Sequence, residues 1–294
     1  MTRRDLIIFF TLSFMWSLSF IFYRVGVPEF GSLAFASLRV VFAGLTMLIF
    51  VLLNSKNRQG IRENYKALTV VGLFSAAIPF VLFSFSAQSV NAGVLAVLNA
   101  SVPMMSGFIA STFFNDKLSK KQILGLIIGV VGVIILMSEH LFSGQGSDLI
   151  PMGYALLACV GYATGANITR NYLGDLSPIA ITAGSLIIAS LVMLPIAIYE
   201  FPYGKSINLK AWLSVICIGV FSTAIALIFM NQLIKSIGAM RATSITLVIP
   251  IFAIVFGYVL LGEALDTGAI IGSGVILVGT YLSLNLSLKK LVHS

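Results

Sequence analysis

Charge is what this 294-residue sequence has least of: Asp, Glu, Lys and Arg make up 10% of it, against 59% hydrophobic residues. Mean hydropathy is +1.04. A water-soluble chain of this length needs far more charged surface to cover its core, so lipid must be its outer solvent. Carboxylates are scarcer still. All ten (Asp5, Glu29, Glu63, Asp116, Glu139, Asp148, Asp175, Glu200, Glu263 and Asp266) fall in loops or at the ends of apolar runs. Proton-driven pumps and exporters of cationic drugs keep a buried carboxylate as relay or counter-charge. Its absence points to a facilitator or exchanger, or to weak coupling through end groups, with a substrate that is not a bulky cation. Cysteine is limited to Cys159 and Cys217, both inside apolar runs, where packing is the simpler role than a disulfide. The two histidines, His140 and His293, lie outside the runs, and neither His-Glu-x-x-His nor Gly-x-Ser-x-Gly occurs. Metal and nucleophile chemistry therefore have no motif to stand on; no enzyme, cofactor or metal is expected.

What is there is apolar length. A helix crosses the hydrocarbon with about 20 apolar residues, and ten runs of about that length can be read: 6–23, 33–53, 67–86, 92–114, 123–138, 152–171, 178–199, 212–234, 239–261 and 269–288. These are spans 1 to 10 of an all-α integral membrane protein. Barrel strands would alternate and would be shorter. The first run follows Arg3 and Arg4 and carries no small-residue cleavage signature, so it reads as a membrane helix and not a signal peptide. The net charge of +8 would suggest nucleic acid in a soluble protein; here the basic residues sit in short connections and set orientation instead. With the N-terminus inside, fourteen of the 18 Lys and Arg fall on the cytoplasmic side, while Arg24, Lys205 and Lys210 fall outside and Arg39 lies within span 2. Both termini are then cytoplasmic. Short loops and this bias suit a bacterial inner (plasma) membrane.

The sequence repeats itself. Gly72-Leu73-Phe74-Ser75-Ala76-Ala77-Ile78 aligns with Gly219-Val220-Phe221-Ser222-Thr223-Ala224-Ile225 at an offset of 147 (219 − 72). The same shift pairs Pro103 with Pro250, Asp116 with Glu263, Gly125 with Gly272 and Gly132 with Gly279; one residue less pairs Arg24 with Arg170 and Trp16 with Tyr162. The halves are expected at 5–138 and 151–288. Five spans each is an odd number, so the halves face opposite ways, as two inverted repeats.

The polar residues inside the spans are the candidate site. Pro103 and Pro250 lie mid-span, and a proline there deprives the carbonyl four residues back of its donor; those carbonyls belong to Asn99 and Thr246. Freed backbone at that depth needs protein or a water-filled cavity to satisfy it, so a packing kink and a cavity-lining break are both open. Ser84 and Gln88 share a face by spacing, and Asn231 repeats Ser84; Tyr162 and Asn167 in span 6 and Thr243 beside Thr246 add further groups. Each could equally be interhelical glue, worth about 0.6 and at most about 2 kcal/mol. Arg39 is the one basic residue deep in a span. At a cost of roughly 3 kcal/mol on insertion scales it needs a purpose: snorkelling to the outer headgroups, or attracting an anionic or zwitterionic substrate. Arg24 and Arg170, at opposite faces, read as interfacial anchors.

Trp16-Ser17 in span 1, Ala34 to Arg39 in span 2, Pro103 followed by Asp116, Leu118, Gln122, Gly125, Gly129 and Gly132, and their repeat as Pro250, Gly262-Glu263, Leu265, Gly272 and Gly279 resemble the EamA-type transporters of the drug/metabolite transporter superfamily. Asn115-Asp116 stands where Gly-Glu is usual, and Tyr162 where Trp is common. The resemblance covers nearly the whole chain. It implies a central cavity lined by spans 1, 3, 4, 6, 8 and 9, with spans 5 and 10 peripheral. The expected function is secondary transport, by family tendency export, of a small metabolite such as an amino acid or other zwitterionic or anionic compound, by alternating access. The substrate-binding residues expected are Trp16, Arg39, Ser84, Gln88, Asn99, Pro103, Tyr162, Asn167, Asn231, Thr243, Thr246 and Pro250. A multidrug exporter is the alternative, and an intramembrane enzyme a weaker one. Its partners are expected to be a small-molecule substrate and the bilayer, with no nucleic acid; a monomer suffices.

Overall fold

The computed structural model describes residues 2–53, 55–116, 119–142, 149–262 and 267–283. Leu118, Glu263, Leu265 and Asp266 lie outside these ranges, as do Asp148 and His293, and the side chains of Glu139 and His140 are not described. All regular structure among the described residues is helical: α1 Arg3–Phe30, α2 Ser32–Leu52, α3 Ser55–Glu63, α4 Tyr65–Ser86, α5 Ala92–Phe113, α6 Lys120–Phe142, α7 Leu149–Tyr172, α8 Pro178–Tyr199, α9 Leu209–Ile237, α10 beginning at Ala239–Thr243 and ending with Ile249–Leu261, and α11 Thr267–Ser283. Eight of these are long and apolar enough to cross a membrane; α11 contributes the shorter apolar stretch Ile270–Gly279, and α6, 23 residues long, packs along it. The connection between spans 2 and 3 forms a helix of its own, α3. It is nine residues long, too short to span, and its polar sequence places it at the membrane surface.

Local chemistry sets the ends. Thr2 and Asp5 form a capping box at the start of α1, the Thr2 amide donating to Asp5 Oδ2 at 2.8 Å and the Asp5 amide to Thr2 Oγ1 at 3.2 Å, which satisfies two orphan donors at once. Ser177 and Asn208 cap α8 and α9 by accepting from Ala180 and Ala211, with Pro178 at the first helical turn of α8. Gly31 and Gly238, which separate α1 from α2 and α9 from α10, sit at φ of +81° and +83°. Only glycine adopts such a backbone without strain.

Four interruptions break the long helices, as two repeated pairs. A π-helical segment occupies Leu73–Ala77 in α4 and recurs at Val220–Ile225 in α9, 147 positions later (220 − 73). Pro79 follows the first, but Ala226 holds the equivalent place after the second, so proline is not what makes the π turn. In α5 the helix stops at Asn99 and restarts at Val102; in α10 a 3₁₀ turn, Ser244–Leu247, precedes a restart at Ile249. Pro103 and Pro250 both fall within the first turn of the restarted piece. That is where a residue without an N–H is tolerated, so each proline begins a new helix instead of kinking a continuous one.

Contacts between the halves are reciprocal. A Cβ on Gly219 would meet the Arg39 carbonyl on α2 at 2.9 Å, and one on Gly72 would meet the Ser185 carbonyl on α8; Ser185 is the counterpart of Arg39 at the 146 offset (185 − 39). Gly132 on α6 faces Ile276 on α11, while Gly279 on α11 faces Gly129 on α6, the same pair exchanged. Helix pairs follow suit: α1 packs on α9 and α10, α7 on α4 and α5, and α2–α8 and α6–α11 pair across the middle. Such exchange of partners is what a two-fold axis produces. The glycine rows of α6 and α11 thus serve close helix packing, as small residues do where lipid gives no hydrophobic drive.

Candidate functional site

Between the halves lies a cavity with about 930 Å³ of space free of protein atoms, its mouth included. α1, α2, α4, α5, α7, α8, α9 and α10 all reach it. The aromatic part of its wall is Trp16, Phe20, Tyr23, Phe80, Phe83 and Tyr162; the polar part is Ser19, Arg39, Ser75, Asn99, Thr169, Ser185, Ser222, Asn231, Thr243 and Thr246. Thr169, Asn231 and Ile234 also line a second groove, shared with Arg170, Lys235 and Gly238, so this groove adjoins the cavity at the end of the molecule where α7 and α9 terminate. At that end Arg170 Nη1 lies 2.6 Å from Asp116 Oδ2, both side chains 44% exposed, and Ser236 donates to Asp5 Oδ1 at 2.9 Å. At the opposite end Phe30 packs edge-on to Trp212 at 5.0 Å and against Phe35 and Phe201. There Arg24 donates to the Ala87 carbonyl at 3.0 Å, and Lys205 bridges to Glu29 at 3.4 Å.

Among the described residues, Arg39 carries the only formal charge in the wall. It is 3% exposed, and it does not snorkel. Its Nε donates to Thr223 Oγ1 at 2.7 Å and its Nη1 to the Tyr23 hydroxyl at 2.6 Å. The guanidinium carbon stands 3.5 Å over the Phe80 ring and 5.3 Å over Tyr23. Each partner is held in turn: Tyr23 donates to the Phe80 carbonyl at 3.3 Å, and Thr223 donates to the Ile218 carbonyl at 2.7 Å. Thr223 belongs to the π segment of α9, so a residue of the second repeat orients the cation of the first. Trp16 reaches the same segment: its Nε1 donates to the Ser222 carbonyl at 3.1 Å, and Ser222 Oγ returns a bond to the Met15 carbonyl at 2.8 Å. No carboxylate lines the cavity among the described residues.

Of the residues singled out in the sequence, Trp16, Arg39, Asn99, Tyr162, Asn231, Thr243 and Thr246 meet at this wall. Tyr162 stacks on Phe83 at 5.9 Å, Asn231 Nδ2 donates to Thr182 at 2.8 Å, and Thr246 donates to the Thr243 carbonyl at 2.9 Å. Five are placed off it. Pro103 and Pro250 are buried in the turns that restart their helices. Asn167 Nδ2 donates to the Ser106 hydroxyl at 2.9 Å and to the Ala163 carbonyl, tying α7 to α5. Gln88 falls beyond the end of α4 at Ser86, so the four-residue spacing from Ser84 no longer means a shared face. Ser32 joins the two instead, donating to the Ser84 carbonyl at 2.9 Å and accepting from Gln88 Nε2 at 2.8 Å. Tyr23, Phe80, Ser19 and Thr223 were not anticipated. The repeated Gly-x-Phe-Ser-x-Ala-Ile stretch, which contains Thr223 in its second copy, was the signal that pointed near them. Among the described residues no group of His, Cys, Asp and Glu is placed to hold a metal ion.

The model of the EamA-like transporter family matches this chain twice, over residues 4–138 and 149–285. An uncharacterized transporter of Archaeoglobus fulgidus is 24% identical over 281 residues, covering 95% of this chain and 98% of its own. The uncharacterized inner membrane transporter YedA of Escherichia coli K12 is 29% identical, covering 93% and 88%, and a WAT1-related chloroplastic protein of Arabidopsis thaliana is 25% identical, covering 92% and 66%. A solved crystal structure superposes with a TM-score of 0.68 at 14% identity, over 95% of this chain and 97% of that one, a likeness of fold.

Proposed function

Because the chain belongs to the EamA-like transporter family, we propose that it is a secondary transporter that exports a small anionic or zwitterionic metabolite, an amino acid or similar compound, by alternating access. The observation that carries this reading is the cavity itself. It lies between two repeats related by reciprocal contacts, and a groove at Thr169 and Asn231 adjoins it at one end of the molecule while aromatic packing around Trp212 fills the other. Binding sites at a repeat interface beside interrupted helices suit rocking of one repeat against the other. The repeats are taken as 5–138 and 151–288, with both termini in the cytoplasm of a plasma membrane, which makes the open groove the loading side. Substrate contacts fall to Trp16, Arg39, Asn99, Tyr162, Asn231, Thr243 and Thr246. A cationic wall without a carboxylate disfavours bulky cationic drugs.

Counterflow tests this. Purified protein in liposomes preloaded with unlabelled metabolite extract is challenged with an isotope-labelled copy, and mass spectrometry reads what exchanges. Uptake of particular labelled compounds, lost on Asn99→Ala or Thr246→Ala, is the expected result. No exchange above protein-free liposomes would contradict the transport reading.

A further inference from the structure

Two polar groups in the cavity wall stand apart, because each is buried and each has a donor the protein does not use. Arg39 uses Nε and Nη1, and its Nη2 donates to nothing among the described residues. Ser19, 5% exposed, has a hydroxyl with no hydrogen-bond partner. An unmade bond at such depth costs more than a net bond gains, so native proteins seldom leave one without a use. Both residues line the same cavity. Ser19 and Tyr23 are four apart on α1 and share a face. A helical side chain leans back over the turn before it, so the Tyr23 ring brings its hydroxyl, and the guanidinium 2.6 Å away, towards the turn that bears Ser19. One cation edge and one hydroxyl, over an aromatic wall and with no acid nearby, are complementary to a carboxylate carried on an apolar body.

Resting on the transporter reading above, we propose that the substrate's carboxylate is bound between Arg39 Nη2 and Ser19 Oγ. Arg39 supplies the charge. Ser19 supplies the second donor, while the Arg39 charge supplies the selectivity for an acid over its neutral isostere. Tyr23 and Thr223 are positioning residues, since they occupy the other nitrogens and fix which edge of the guanidinium faces the cavity. The two-pronged donor set follows the geometry by which arginine recognises carboxylates, with serine replacing one prong.

Binding can be read from Trp16. The chain has two tryptophans, so Trp212→Phe leaves the cavity residue as the one reporter. The probes are phenylacetate and phenylacetamide, which differ in charge and hardly in shape. The expected result is a saturable change in Trp16 emission with phenylacetate and at least tenfold weaker binding of phenylacetamide. Arg39→Gln should abolish the response, and Ser19→Ala should weaken phenylacetate severalfold. Ser19→Ala is the decisive variant, because it removes no internal hydrogen bond and so leaves the fold intact even where Arg39→Gln does not. Equal binding of acid and amide, no binding of either, or an unchanged phenylacetate affinity in Ser19→Ala overturns the assignment. Failure of the two proposals is separable. Counterflow of solutes that is indifferent to Ser19→Ala and Arg39→Gln leaves transport standing and removes the carboxylate site; acid-selective binding without any counterflow does the opposite.

Discussion

Thr223→Val probes how the second repeat controls the first. The change keeps the volume and the β-branch of the side chain and removes one hydroxyl, which accepts from Arg39 Nε and donates to the Ile218 carbonyl, both at 2.7 Å. A hydrogen bond to a charged group is worth about 1.5–3 kcal/mol in soluble proteins. Polar pairs between membrane helices average about 0.6 and reach about 1.7 kcal/mol, because the unfolded chain in lipid finds other partners. The first figure overstates this case and the second average understates it, since the donor is a guanidinium that is 3% exposed. We therefore expect a loss of about 1.5 kcal/mol, with Thr223→Ser, which keeps the hydroxyl, within about 0.5 kcal/mol of the parent. The assay is unfolding in mixed detergent and SDS, followed by tryptophan emission. A cycle with Arg39→Gln isolates the pair, and the coupling should be about 1 kcal/mol or more. Strict additivity of the two substitutions, or a valine variant as stable as the parent, would refute the claim that Thr223 holds Arg39 in place.

Four further substitutions probe other parts of the molecule. Trp16→Phe keeps a ring in the wall but drops the bond to the Ser222 carbonyl; a neutral bond of this kind is worth about 1 kcal/mol, and counterflow should slow while the protein stays folded by size exclusion. Gly153 has open space where a Cβ would stand, whereas a Cβ on Gly219 would lie 2.8 Å from Phe42 Cβ and 2.9 Å from the Arg39 carbonyl. Gly153→Ala should therefore stabilise by up to about 1 kcal/mol, while Gly219→Ala should lose about 1–3 kcal/mol to overpacking, measured by the same SDS titration. Asp116→Asn breaks a bridge whose members are each 44% exposed; such pairs give about 0–1 kcal/mol and are screened by salt, so the melting temperature should hardly move, and any shift should vanish at high ionic strength.

How much could be read in advance follows from the kind of signal. Spans were legible because hydropathy over about 20 residues averages away local detail, and the repeat was legible because Gly72, Pro103 and Gly132 recur with a fixed offset in Gly219, Pro250 and Gly279. The site was only half legible. Asn99 and Asn167 are the same residue type in similar apolar settings, yet one lines the cavity and the other is consumed by Ser106; which way an amide points depends on helix rotation, and that is set by packing across the whole bundle. Gln88 lies past the span end read at 86, and the structure ends α4 at that same Ser86, so the four-residue spacing from Ser84 carries no helical meaning there. Tyr23 closes span 1 as read from hydropathy, and nothing at a span end marks a cavity residue, but α1 runs on to Phe30 and buries it. Thr223 was inside the repeated stretch all along. There its conversion from repeat marker to functional group required the π turn, which no propensity scale announces.

The counterparts along the cavity wall show what the second copy has changed. Trp16 faces its counterpart Tyr162, Ser75 answers Ser222, and Asn99 answers Thr246, so these pairs keep the character of the wall on both sides. Around the cation the pairing breaks: Arg39 has Ser185 as its counterpart, Tyr23 has Thr169, Phe80 has Leu227, and Thr223 has Ala76. All four parts of the guanidinium's setting are missing from the other half together. The asymmetry has a mechanical reason. If the repeats exchange conformations as the cavity turns from one face to the other, a pair of arginines would place like charges across one small cavity at every stage, and repulsion in a medium of low dielectric is strong. A single arginine avoids that, and because both π segments border the same cavity, it can remain with its ligand through the exchange. The backbone can therefore be two-fold while the chemistry is not, and the substrate is expected to bind in one orientation with its anionic end towards the first repeat.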